Sequence, residues 1–380
     1  MPSICTTYLI SLRKFLLYLS NTPLRYWRKG WLSKSLLIII AIVLVVIWTC
    51  FGIAQWYSYS QRNIPMTFGV TFIPDYAESL GVNPKDTMKA LLNIKVRQFR
   101  LTSYWNDIEP NKGQYDFSQL DWEFAMANKY HAKIILDVGL RQPRWPECHP
   151  PSWVNTASKM SNWEPQLLTY MSKVINRYKN NPALEAWQLE NEYFLKGFGD
   201  CNNYSRQRLI TENNLLKKLD PHHIIIMSRS NNALGFPVNQ PQGEIYGISI
   251  YKRVWDASVT KRYIEYPFPS WFYGFLAGTQ EIYSGKNMII DELQAEAWPP
   301  DGQSITQTSL AEQNKSIDAA RLKNRFDFAR STGMKDALLW GAEYWYYRKV
   351  IEHDPSLWNV AKSEFTANNY HNGSYLLNHP

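Results

Sequence analysis

Eight short apolar runs alternate with amphipathic stretches between Met66 and Tyr347, and one long uncharged apolar segment precedes them. Together these predict an α/β fold: a (β/α)8 TIM barrel preceded by a single transmembrane helix. A doubly wound open sheet would alternate in the same way. No Gly-rich phosphate loop follows the first run, which weakens the nucleotide-binding version of that alternative. The 380 residues suffice for one large domain plus an appendage, and the hydrophobic (45%) and charged (19%) fractions are those of a folded chain.

The apolar segment Leu36–Ala54 carries no charge and no proline. It has the length of a bilayer span, ~20 residues, whereas a cleavable signal has an apolar region of ~7–15 residues and a small-residue cleavage site. Arg25, Arg28, Lys29 and Lys34 precede it and only Arg62 follows shortly after. The positive-inside rule then puts the N-terminus in the cytoplasm and the rest outside it. The expected division is a basic cytoplasmic segment 1–35, an anchor 36–54, a linker 55–65 and the barrel domain 66–380. Tyr8–Leu19, interrupted by Arg13 and Lys14, reads as an interfacial helix. The formal charge of +8 shrinks to +2 beyond residue 35, because the first 35 residues hold six basic side chains and no acid. That excess suits an anionic membrane surface and gives no reason to expect nucleic acid.

The runs follow in order. Thr67–Ile73 is the first. Asn83-Pro84 then caps a helix carrying Met88, Leu91 and Leu92. The second run is Lys95–Leu101. Ser118 with Asp121 resembles a capping pair ahead of a helix with Leu120, Phe124 and Ala127 on one stripe. Lys133–Gly139 is the third run, followed by a helix over Gln166–Tyr178. Leu184–Leu189 is the fourth, followed by a helix with Leu209, Leu215, Leu216 and Leu219. His223–Ser228 and Ile245–Tyr251 are the fifth and sixth. An aromatic-rich loop and a helix near Trp271–Tyr283 lead to the seventh, Asn287–Asp291. A helix marked by Leu322, Phe326 and Ala329 leads to the eighth, Asp336–Trp340. The polar stretch 363–380 carries no clear pattern.

In such a barrel the functional site lies at the C-terminal ends of the strands. Four ends carry conspicuous polar residues. Arg100 closes the second run; Glu190, Asn191 and Glu192 follow the fourth; Tyr251 ends the sixth; Asp291 and Glu292 end the seventh, with Glu296 and Trp298 close behind. Two carboxyl groups facing each other across a barrel mouth are what cleavage of a glycosidic bond requires: one donates a proton to the leaving oxygen, and the other attacks the anomeric carbon or activates water. An Asn beside the acid can hydrogen-bond the sugar 2-hydroxyl. The excess of Trp and Tyr (16 and 24 residues) suits either a sugar-binding cleft or a large aromatic core.

These segments resemble the clan A glycoside hydrolases, in particular the group of families 5, 35 and 42. WQLENEYF resembles the acid/base motif, IEPNKGQYDF a stretch found after the second strand, NMIIDELQAEAW the nucleophile strand, and LLWGAEYWYY a strand-eight end with a Trp under the sugar. The resemblance spans about Met66 to Tyr347. It implies a glycosidase acting on a β-linked oligosaccharide or polysaccharide, with Glu192 as acid/base and Glu292 as nucleophile. Arg100 and Asn191 would support them and Tyr251 would hydrogen-bond the nucleophile, with Glu296, Trp298, Trp340 and Trp345 as further substrate-binding candidates. Asp291 stands where many members have Thr or Ser, and Glu296 is a second acid nearby, so the nucleophile stays open between Glu292 and Glu296. Glu109, in its Glu-Pro turn, reads as structural. No Cys/His spacing suggests a metal, and the two-carboxylate chemistry needs no cofactor. Cys148 and Cys201 follow the third and fourth runs, in adjacent loops outside the cytoplasm, where a disulfide is allowed. A catalytically inactive carbohydrate-binding barrel and a transglycosylase using the same residues are the alternatives.

Overall fold

The computed structural model describes residues 30–367 except 194, 196, 202 and 232–240. The basic segment up to residue 29, with the Tyr8–Leu19 helix expected there, and the final residues 368–380 lie outside the described residues. Two compact units divide the chain, Met1–Ile53 and Ala54–Pro380.

A single helix runs over Gly30–Ser60. Its part Lys34–Ser60 is long and apolar enough to cross a membrane, a test that a signal sequence also passes. The linker expected over 55–65 is not what forms: residues 55–60 continue the helix, and the compact unit that holds the barrel begins at Ala54 rather than Met66. The reason is packing. Tyr57 is fully buried in the main core, and Gln61 donates to Glu281 at 3.3 Å. Gly333 makes room for the tyrosine, since a Cβ there would lie 3.1 Å from the Tyr57 ring.

Among the described residues ten strands follow: β1 (Thr67–Thr71), β2 (Gln98–Leu101), β3 (Lys133–Val138), β4 (Leu184–Leu189), β5 (Ile224–Asn231), β6 (Ile245–Ile250), β7 (Arg253–Asp256), β8 (Arg262–Glu265), β9 (Asn287–Gln294) and β10 (Asp336–Trp340). Eight of them close a parallel barrel in the order β1-β10-β9-β6-β5-β4-β3-β2. β7 and β8 form an antiparallel hairpin where an aromatic-rich loop was expected. Two apolar layers result from strand alternation. Ile135, Ala186, Ile226, Ile245, Ile289 and Leu338 fill the barrel interior. The alternate side chains, such as Ile134, Trp187, Tyr246, Met288 and Leu339, join the larger core.

Local signals explain most boundaries. Asn83 accepts from the Asp86 amide at 3.1 Å, with Pro84 at the first helical position. The second run starts at Gln98 rather than Lys95, because Lys95 takes a left-handed φ of 75° in the preceding turn. Ser118 is no cap: Phe117 holds that position, and Asp116 accepts from the Ser118 amide at 2.8 Å. The seventh run does not stop at Asp291 but continues to Gln294.

Cys148 and Cys201 are joined in a disulfide with Cα atoms 5.4 Å apart, and 53 positions separate them in sequence. A cross-link over such a loop restricts the unfolded chain by up to about 4 kcal/mol. Cys201→Ala, or reduction of the native protein, is therefore expected to lower the urea unfolding midpoint clearly. Equal midpoints with and without reductant would show that the bond adds nothing.

Candidate active site

The mouth of the barrel collects the polar strand ends around Glu292. Arg100 comes from β2, where alternation puts Gln98 and Arg100 on the interior face. Its guanidinium is fully buried and donates to Thr71 at 2.9 Å, to Gln188 at 3.3 Å and to Glu292 Oε1 at 2.9 Å. Burial works against this charge, but Glu292, Asp137 and Asp291 outweigh it and hold the Arg100 pKa above its ordinary value. Asn191 donates to the same Glu292 oxygen at 3.3 Å. The Tyr251 hydroxyl donates to Oε2 at 2.6 Å. Glu292 is thus held by three donors from three strand ends.

A bulge in β9 aims it there. Gly247 pairs with Ile289 and Ser249 with Glu292, so β9 has one residue more than β6 across this stretch. β10 shows the same shift, with Ala337 opposite Ile290 and Leu339 opposite Leu293. Such a bulge re-aims a side chain. Here it lets Asp291 and Glu292, neighbours in sequence, both lie within the field of Arg100. Asp291 fills the space beside β6: a Cβ at Gly247 would sit 2.0 Å from its Oδ2, which accounts for that glycine. Burial pushes the Asp291 carboxyl up to about 6, with Arg100 opposing.

Glu192 stands at the exit of β4 with a left-handed φ of 41°, as Glu190 does at 57°. Non-glycine residues persist there only where the surroundings enforce them. The enforcement is visible. Glu190 accepts from the amides of Leu140 and Arg141 and pairs with Arg208 at 2.7 Å, while Arg141 and Asn191 bond to each other through their backbones and through the Arg141 side chain. Glu192 itself is buried and accepts from the Ser249 hydroxyl at 2.6 Å. Burial, and after it the negative charge of Glu292, hold its carboxyl well above the usual range, with the Ser249 bond opposing.

Glu296 occupies a different place. It accepts from Arg144 at 3.1 and 3.2 Å and from the Trp340 indole at 2.8 Å. Gly341 lies behind it, at a φ of 104°. Trp340 packs with Ile73 and Tyr104, and Tyr76 and Tyr251 border the same cluster. Trp298 meets Tyr251 edge to face at 5.5 Å. Glu192, Glu292, Arg100, Asn191, Tyr251, Glu296, Trp298 and Trp340 are therefore brought together. Trp345 is not. It is fully buried, donates to the Ala295 carbonyl at 2.8 Å and lies against Phe365, so it supports the exit of β9 from behind as part of the core. Glu109 accepts from the Trp105 indole and the Gly113 amide, as a turn residue does.

Several site residues carry no motif. Ser249 shares the interior face of β6 with Gly247, and period-two reading of that strand is enough to find it. Asp137 likewise follows Ile135 on β3 and reaches to within 3.8 Å of Arg100. Arg144 and Glu147 lie on the connection after β3, where no periodicity applies. Glu147 is buried, accepts from Asn191 at 3.4 Å and pairs with Arg141 at 3.6 Å. Burial pushes its carboxyl up to about 7, with Arg141 opposing.

Comparison with known proteins bears on the barrel and on its first half. Residues 83–211, which run from the first capped helix through the Asn191-Glu192 pair, match the family model of glycoside hydrolase family 42, described as beta-galactosidase. No characterised protein matches the chain by overall sequence. Among solved structures, the exo-beta-1,4-mannosidase Op5Man5 from Opitutaceae bacterium strain TAV5 is 15% identical with a TM-score of 0.50, covering 80% of this chain and 59% of that one. A family 39 glycoside hydrolase from Bacteroides cellulosilyticus WH2 is 16% identical with a TM-score of 0.49, covering 82% and 65%. At 15% identity the likeness to Op5Man5 speaks for the fold alone. The family match, over residues 83–211, supports a glycosidase.

Proposed function

We propose that this glycosidase hydrolyses β-linked oligosaccharides or polysaccharides with retention of configuration, outside the cytoplasm, held to the membrane by the N-terminal helix. The observation that carries the mechanism is the grip of Arg100, Asn191 and Tyr251 on Glu292 beside a Glu192 whose pKa is raised. In the first step Glu292 attacks the anomeric carbon. The glycosidic C–O bond breaks as Glu192 gives its proton to the leaving oxygen. In the second step Glu192 takes a proton from water, the water oxygen attacks the same carbon, and the bond to Glu292 breaks. Asn191 can meet the 2-hydroxyl, and Trp340 offers a face to the ring.

The β linkage follows the beta-galactosidase family matched over residues 83–211 and the exo-beta-1,4-mannosidase Op5Man5. The same residues serve a transglycosylase if a sugar hydroxyl replaces water. The test is a screen of aryl β-galactosides, β-mannosides and β-glucosides with the full chain in detergent, with NMR following the anomeric configuration of the first product. Initial inversion would overturn the retaining reading, and transfer products in excess over hydrolysis in the presence of an acceptor glycan would favour the transglycosylase. A truncation at Asn63 is a poor starting point, because it removes Tyr57 from the core.

The anchoring has its own expected outcome. Protease added to intact cells or spheroplasts should digest the barrel and leave the basic N-terminus. Protection of the barrel with cleavage of the N-terminus would reverse the topology.

A further inference from the structure

The connection after β3 turns back on itself, with Arg141 and Cys148 paired across it. Arg144 and Glu147, either side of its tip, both point into the site, to Glu296 and Asn191. Trp145 between them points out and is 64% exposed. Phe198, on the connection after β4, is 38% exposed and meets the Trp145 ring edge to face at 6.3 Å. The two rings form one contiguous exposed aromatic patch, and the connections that carry them are tied together. The disulfide joins their connections, the Asp200 amide donates to the Pro146 carbonyl at 2.8 Å, and Arg141 donates to the Phe198 carbonyl at 2.9 Å. Gly199 lets the connections meet, since a Cβ there would lie 2.6 Å from the Glu147 side chain.

We propose that Trp145 and Phe198 form a stacking platform at the rim of the cleft for a second pyranose ring, on the leaving-group side of the scissile bond. This rests on the two-carboxylate reading above. The glycosidic oxygen must lie within hydrogen-bond reach of Glu192. The sugar beyond that oxygen then spreads over the connection that carries Glu192, and Phe198 lies on that same connection. A pyranose presents a flat C–H face that suits an indole, and the rigid setting means little ordering cost on binding. The substrate class is therefore an oligosaccharide of at least two units, not a simple monoglycoside.

The experiment compares two substrates on the full chain in detergent. One is β-1,4-linked galactotriose, mannotriose or cellotriose; the other is the matching β-glycosyl fluoride, whose leaving group carries no ring. Trp145→Ala is expected to lower kcat/KM for the trisaccharide about tenfold, mostly through KM, and to leave the fluoride unchanged. Phe198→Ala should act in the same direction, and Trp145→Phe should recover part of the loss. Equal losses on both substrates, or no loss on the trisaccharide, would overturn the platform. So would a wild-type enzyme that hydrolyses a fluoride but none of the trisaccharides. Failure of the catalytic reading shows separately, as turnover of the fluoride by Glu292→Gln.

Discussion

Glu292→Gln is expected to lower kcat by a factor on the order of 10⁴ or more, while the protein stays folded and binds substrate. The size of the effect follows from where the side chain sits. Arg100, Asn191 and Tyr251 all donate to Glu292, so its position is set by three separate strand ends. Reaction at the anomeric carbon depends on that placement. Glutamine fits the same space but cannot form the glycosyl ester. A 2-fluoro glycoside with a good leaving group should label Glu292 of the wild type, and mass spectrometry of the digest would locate it. Glu296→Gln is the control. Glu296 is engaged by Arg144 and Trp340, and its loss should act on binding, with kcat within about tenfold of wild type. Label on Glu296, or near-normal turnover by Glu292→Gln with none by Glu296→Gln, would exchange the two assignments.

The sequence favoured Glu292 over Glu296 but left the choice open, for a physical reason. Glu292 follows Asp291 directly, and strict alternation would send the two to opposite faces of β9. The bulge that turns Glu292 toward Arg100 depends on pairing with β6 and β10, which are remote in sequence. By contrast, the eight barrel strands were legible because each side of a strand repeats with period two and each helix carries its own stripe and cap. Trp345 was misplaced for a related reason. A tryptophan just past a strand end can face the cleft or the core, and only the position of the helix over Ala342–Val350 against Phe365 decides it. The stretch 55–65 was read as a linker because polar residues follow the apolar run. The burial of Tyr57 and Gln61 within it comes from contacts with Gly333 and Glu281, again far away in the chain. Arg144 and Glu147 could not be found by pattern at all. Their directions are set by a turn that pairs Arg141 with Cys148 and by the bond from Cys148 to Cys201.

Glu192→Ala is expected to produce a loss that depends on the leaving group. For an alkyl glycoside or a glycan the departing oxygen needs a proton, and removal of a positioned acid costs about 10²–10⁴-fold. A glycosyl fluoride needs no such help, so its first step should survive and the glycosyl-enzyme should accumulate. The pH dependence gives the second signature. Burial and the charge of Glu292 raise the Glu192 pKa, so Glu192 keeps its proton to a higher pH than an ordinary glutamate. The wild-type rate on a poor leaving group should then fall as pH rises through that raised pKa, because the acid form is lost. In Glu192→Ala this alkaline fall should disappear. Ser249→Ala removes the bond that opposes the shift, so the fall should move to higher pH in that variant. An unchanged alkaline limb in Glu192→Ala, or equal losses on the fluoride and the glycan, would mean that another group supplies the proton. Glu147, pushed up to about 7 and beside Asn191, would then be the residue to replace next.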